Sequence, residues 1–386
     1  QTEPTQTDPT RREQARADGH WGSGPRVGSI RAVLKPRLVV LGLSLALAMV
    51  GCARTPPSSG SSSAHAQVKA CLVSGANGFD DQGASRAASQ GLDRAVAQLG
   101  VQSDRAEAHS VGDYPAAIQS MVGAGCTYIL GASPDQSDAL AAAARANTDL
   151  HFALVGATKP VSEKNLKLVR FQSSQVGFLA GYLAAASSSS GTVGTFGATN
   201  APAVTLYMDG FSQGITYFNQ KASKAVKLVG WTMGSQSGDF LGGADPYSDK
   251  EGARARTEDL IGQGADVVMP VAGTADTGAV QAVNAHQGTR LVGTGSDLCA
   301  SYVDACAATL GTAAAGVDQM VFDAIEEAGV GFTNTTLVGT LANGGVTMVG
   351  VGKGAPVAQN IADDLTAVSQ GIKDGSIKVT SPSSVS

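Results

Sequence analysis

CTYILGASPDQSDALAAAARANTDLHFALVG, residues 126–156, holds one complete folding unit. An apolar run at 127–131 has the length of a buried strand, and the Gly and Ser-Pro after it turn the chain. The Ala-rich stretch at 135–147 reads as a helix, and a second apolar run follows at 151–156. Strand, helix and strand in this order cross over right-handedly and build a parallel sheet with helices on both faces.

The unit recurs along the chain from Val68 onward. Further strands are expected at 69–74, 167–172, 192–197, 226–231, 265–271, 290–294 and 345–351. Further helices are expected at 83–99, 115–124, 174–187, 206–220, 250–263, 276–287 and 313–328. So many strands point to an α/β protein with two doubly wound sheets. Ligands of such sheets lie beyond the carboxyl ends of the strands, where strand order reverses. Two sheets facing each other leave a cleft that closes by hinge motion.

Length and composition agree with this. The 386 residues suit two domains of roughly 150 residues each once a processed segment is set aside. A chain that is 43% hydrophobic and 15% charged is not disordered, and its 49 Gly have no three-residue period, so it is not collagen. The net charge of −5 is spread out, with no basic block after the N-terminal region, which argues against a nucleic-acid partner.

Residues 1–51 read as an N-terminal extension and export signal. Arg31, Lys35 and Arg37 precede an apolar run of 13 residues, Leu38 to Val50, too short to cross a bilayer but right for a signal-peptide core. Met49-Val50-Gly51-Cys52 resembles a bacterial lipobox, with Met in place of the usual Leu, so Cys52 is the expected lipidation site. Residues 52–67 are rich in Ser and Pro and read as a flexible tether. From Cys52 onward the chain carries 20 basic and 28 acidic residues, a net of −8. The expected place is the extracytoplasmic face of the cell membrane.

Export makes the other cysteines disulfide candidates: Cys71, Cys126, Cys299 and Cys306, with three possible pairings. Cys71 and Cys126 each open an apolar run and could bridge neighbouring strands, whereas Cys299 and Cys306 would close a local loop. No CxxC spacing exists and the five His are scattered, so no metal site is expected. No cofactor is expected either.

NGFDDQGASRAASQGL (77–92), SSQVGFLAGYLAA (173–185), GTVGTFG (191–197), MDGFSQG (208–214), GADVVMPVAG (264–273) and GTGSD (293–297) occur in this order. Together, over residues 68–380, they resemble the basic membrane protein family of lipoproteins, whose members include purine-nucleoside receptors of ABC transporters. The resemblance implies a type I periplasmic-binding-protein fold with three crossovers. It places residues 68–171 and 311–337 in one lobe, 172–310 and 338–380 in the other, and 381–386 in a tail. It also implies a small-molecule solute, nucleoside-like, and an ABC permease as partner.

Carried over residue by residue, the loop after the first strand keeps Gly78, Asp80 and Asp81 of the family pattern. Gly75 stands at an acidic position, Ala84 at the position of a stacking aromatic, and Ser85 in place of Asn. Phe79 is a substitute stacking ring or a core residue; Asp80 and Asp81 are ligand contacts or helix N-terminal charges. In the second lobe Phe240, within GDFLGG, matches the other stacking aromatic. Asp297 matches a ribose-hydroxyl acceptor, or is a helix cap. Gly273 and Thr274 offer backbone amides. The family's cleft lysine is missing; Ala315 or Gly316 takes its place.

Gly210-Phe211-Ser212-Gln213-Gly214 satisfies the G-x-S-x-G pattern of hydrolases, but its surroundings read as helix and the only later His is His286. No P-loop, H-E-x-x-H or G-x-G-x-x-G occurs. The expectation is a non-enzymatic solute-binding lipoprotein; the alternative is a ligand sensor or scaffold with a degenerate cleft.

Overall fold

The computed structural model describes residues 65–81 and 83–384. The signal segment, Cys52 and most of the tether lie outside them. Among the described residues no helix is long and apolar enough to cross a membrane.

The first lobe holds β1 (Lys69–Val73), β2 (Gln102–Ala106), β3 (Tyr128–Gly131), β4 (His151–Val155) and β5 (Leu166–Phe171). The second holds β6 (Thr192–Gly197), β7 (Lys227–Val229), the short hairpin β8 (Trp231–Thr232) and β9 (Ser237–Gly238), β10 (Val267–Val271), β11 (Arg290–Gly295) and β12 (Thr309–Ala315). The chain then returns to the first sheet as β13 (Leu337–Gly339) and to the second as β14 (Val346–Val349). The sheet orders are β13-β5-β4-β3-β1-β2 and β14-β12-β11-β10-β6-β7. All ladders within the two six-stranded sheets are parallel except β12–β14. β14 enters straight from the crossover without a helix, so it runs antiparallel.

The inner strands are buried on both faces, which is why KACLV, YILG and VVMPV read as apolar runs without alternation. The outer strand β2, QSDRA, is polar because it is an edge, and periodicity does not reveal it. The helix expected at 313–328 is the helix Val317–Val330, and TLGTAAA before it is β12. Small residues hide that strand from propensity. Residues 311–315 therefore lie in the second sheet, and the chain passes to the first lobe at Gly316.

Two close approaches hold the second lobe and the hinge. The helices Ser173–Ser187 and Pro202–Ala222 touch backbone to backbone: a Cβ on Gly181 would stand 2.0 Å from the Phe211 carbonyl oxygen, and one on Gly210 would stand 2.1 Å from that of Ser174. The glycines of the G-x-S-x-G sequence thus serve helix packing, and Ser212 lies mid-helix, far from any strand-to-helix elbow. At the hinge Gln172 N–H donates to Gly339 O (2.8 Å) and Gly316 N–H to Gly345 O (2.9 Å). A Cβ on Gly316 would stand 2.2 Å from the Gly344 oxygen. The three crossovers are packed against one another there, and Phe171 touches the cores of both lobes.

Disulfides join Cys71 to Cys126 and Cys299 to Cys306. The first is buried and ties β1 to the turn before β3; the second closes the loop that carries Tyr302.

Candidate functional site

Each crossover leaves a strand at its carboxyl end: β5 at Phe171, β12 at Ala315, β13 at Gly339. The carboxyl edges of both sheets therefore meet the same junction. Strand order reverses between β1 and β3 in the first sheet and between β6 and β10 in the second. Those two crevices are where a doubly wound sheet binds a ligand.

On the first lobe the lip is the loop after β1. Asp81 accepts from Gly83 N–H (2.8 Å), Ser85 N–H (3.0 Å) and Arg86 N–H (3.1 Å), so its carboxylate caps the helix Ala84–Leu99. Asp80 is exposed. Phe79 packs against the first lobe's core. The Gly75 N–H donates to the Ser85 hydroxyl (3.0 Å), and a Cβ at Gly75 would stand 3.3 Å from Ser133 Cβ. The changes at 75 and 85 are thus coupled, and Ser133 occupies the neighbouring space. Fully buried Gln136 fixes this floor, accepting from Ser133 N–H (2.9 Å) and donating to Ser74 O (3.0 Å).

On the second lobe Phe240 forms a bridge to Gly197, at the carboxyl end of β6. Its half-buried ring meets Trp231 edge-on, with centroids 5.9 Å apart. Gly273, at φ 63°, and Thr274 follow β10. Tyr247, which sequence reasoning missed, spans β6 and β10. Its hydroxyl lies 3.2 Å from the Thr199 hydroxyl, and its carbonyl accepts from Thr274 Oγ1 at 2.8 Å. At 42% exposure its ring is open to solvent. An aromatic next to Asp-Pro in a Gly-rich polar loop was the available signal.

Asp297 follows β11 and caps the helix Leu298–Ser301, accepting from Cys299 N–H (3.1 Å) and Ala300 N–H (3.4 Å). Phe240, Gly273 and Thr274, and Asp297 thus line the ends of three adjacent strands, β6, β10 and β11. Tyr302, also missed, packs half-buried against the second lobe's core in the loop after β11. Burial pushes its phenol up, and the charges of Asp276 and Asp81 add to this.

A buried acid sits beneath the second lip. The β10–β11 ladder stops after Val268, and Pro270 has no N–H to continue it. Asp276 fills the divergence, accepting from Ala272 N–H at 2.9 Å. The Thr294 hydroxyl donates to Pro270 O (2.9 Å) and lies 3.5 Å from Asp276 Oδ2. The Ala272 N–H and the Thr294 hydroxyl favour the ionised carboxylate, but burial outweighs them. Burial accordingly pushes the Asp276 carboxyl up to about 7.

Among the described residues no group of His, Cys, Asp and Glu comes together to hold a metal. His286 bonds its own helix at Ala282 O (2.9 Å).

Comparison with known proteins sharpens this. The chain is 27% identical over 228 residues to Basic membrane protein D of Borreliella burgdorferi (strain JD1), covering 58% of this chain and 61% of that protein. It thus spans about three-fifths of that relative's length. It is 24% identical over 253 residues to the ABC transporter nucleoside-binding protein BmpA of Lactococcus lactis subsp. cremoris (strain MG1363), covering 64% of this chain and 67% of that one. The solved structure of ABC transporter system solute-binding proteins from Aeropyrum pernix K1 superposes with a TM-score of 0.64 at 20% identity, over 82% of this chain and 94% of that one. That likeness carries the fold, a type I periplasmic-binding-protein architecture. The sequence model of the Bmp family, ABC transporter substrate-binding proteins described as PnrA-like, matches residues 67–380, and the chain belongs to that family.

Proposed function

We propose that this protein is an extracytoplasmic lipoprotein that captures a neutral nucleoside between its lobes and delivers it to an ABC permease. The observation that carries the reading is that two aromatic side chains, Phe240 and Tyr247, stand at the β6 end, the switch point of the second sheet, while the Asp81 loop follows β1 at the switch point of the first. Aromatic faces suit a planar base, and hydroxyl, amide and carboxylate groups suit base edges and ribose hydroxyls. The acids Asp80, Asp81 and Asp297 on the lips disfavour a phosphate, so the reading favours a nucleoside over a nucleotide. The Bmp family and its nucleoside-binding Lactococcus member support this class.

The test is a thermal-shift series with inosine, adenosine, guanosine, cytidine, free bases, ribose and the corresponding monophosphates. A nucleoside at a hundred times its Kd stabilises by about 2.7 kcal/mol through mass action. The expected result is a rise with nucleosides and none with monophosphates. A rise with ribose or another sugar alone overturns the nucleoside assignment. Anchoring is tested by palmitate labelling of cells expressing the parent chain and Cys52→Ser; label retained by the variant removes the lipoprotein assignment.

A further inference from the structure

Asp209 is fully buried in the helix Pro202–Ala222, yet its carboxylate collects three donors from distant parts of the chain. Oδ1 accepts from Trp231 Nε1 (3.0 Å) and Gln236 Nε2 (2.9 Å); Oδ2 accepts from Ser381 Oγ (2.5 Å). Trp231 and Gln236 belong to the β8–β9 hairpin, which leads directly into Phe240. Ser381 lies 172 residues further along, in the C-terminal segment.

That segment is pinned at more than one point. The Gln213 side-chain amide donates to Thr380 O and accepts from Thr380 N–H. Ser383 Oγ donates to Gln236 Oε1 (3.0 Å) and lies 2.6 Å from Thr205 Oγ1. Gln236 itself is at φ 49°, a left-handed conformation that costs a non-glycine residue about 1–2 kcal/mol. Its amide bonds to Asp209 and to Met233 O (2.9 Å) offset that cost. Asp209 also fixes the indole of Trp231, which is 5% exposed and stands edge-on to Phe240 with an interplanar angle of 81°.

We propose that residues 380–383 form a strap which, through Asp209, Gln236 and Trp231, positions Phe240 at the mouth of the cleft. Asp209 and Ser381 are positioning residues; neither needs to touch the solute. The effect on solute affinity rests on the nucleoside reading, whereas the effect on the indole does not.

The chain has two Trp, so in full-length protein carrying Trp21→Phe the indole of Trp231 is the sole fluorophore of its kind. Acrylamide quenching is measured for this parent, for Ser381→Ala, Ser381→Thr and Ser384→Ala, and for a chain ending at Val379. Quenching should rise about twofold in Ser381→Ala and further in the shortened chain, as the hairpin loosens. Ser381→Thr, which keeps the hydroxyl, and Ser384→Ala should match the parent. Inosine binding by calorimetry should weaken about fivefold in Ser381→Ala, less than the full loss of a hydrogen bond to a charged group because Ser381 acts on Phe240 only through the hairpin. Unchanged quenching in both Ser381→Ala and the shortened chain overturns the strap, whatever inosine does. Raised quenching with unchanged inosine affinity in a parent that binds it overturns the positioning of Phe240. Raised quenching in a parent that ignores inosine supports the strap and removes the nucleoside reading instead.

Discussion

The first lobe's lip is drawn inward: Gly75, Ser85, Ser133 and Gln136 satisfy one another, and Phe79 is turned to the core. The second lobe's lip reaches outward: Phe240, Tyr247 and Tyr302 stand on loops braced by Trp231, Thr199 and a disulfide. The two lobes share a six-stranded architecture, so the difference lies in what each loop can offer once its own hydrogen bonds are met. A loop whose small polar groups bond internally closes over a guest, while a loop that keeps rings half-exposed supplies the contact area. The solute should therefore rest on the second lobe first, with the first lobe acting as the cover.

The lobes also differ in how they are tied. Cys71–Cys126 closes a span of 55 residues, and Cys299–Cys306 one of 7. On the chain-entropy account Cys71→Ala with Cys126→Ala should cost about 4 kcal/mol, and the second pair removed likewise about 2.5. Urea denaturation checks this, and equal losses would break the contrast. Gly181→Ala should cost about 3 kcal/mol through its clash with the Phe211 carbonyl, seen as a lower midpoint for the second lobe's melting.

The third test is pH. Asp276 titrates near 7 in the fold against an ordinary 3.8, so the folded chain binds the extra proton. Its contribution is complete below about pH 4 and is lost as pH rises to about 7. Asp276→Asn keeps an acceptor for Ala272 N–H and should be more stable than the parent at pH 8, by on the order of 1–3 kcal/mol. The two chains should converge near pH 4; an unchanged difference across this range would mean that Asp276 is ionised throughout. The smallest effect is the most local. Phe240→Ala should weaken nucleoside binding about tenfold, 1.4 kcal/mol, and Ser85→Ala by less. The reverse order by calorimetry would assign the main contact to the first lobe.

Much of this architecture was legible from the strands 126–156 and their repeats, because a strand buried on both faces must be apolar throughout. β12 was not, since TLGTAAA is buried yet built of small residues that carry little strand propensity. β2 and β13 are short edges with weak patterns. In the candidate site, Asp297 was legible as an acid at a strand's carboxyl end and Phe240 as an aromatic in a polar Gly-rich loop. Capping by Asp81 and Asp297 was legible as an alternative because caps are local, whereas the places of Tyr247 and Tyr302 depend on loops whose geometry no local pattern encodes.

By itself the sequence determined the alternation of strand and helix, the two-sheet count and the loops that carry the chemistry, because burial and turn chemistry act within a few residues. Only the tertiary structure decided which loops meet, which carboxylates are already occupied, and that Asp209 ties Ser381 to the hairpin beside Phe240. Those are contacts across large separations in sequence, where the energy depends on what else has arrived at the same place.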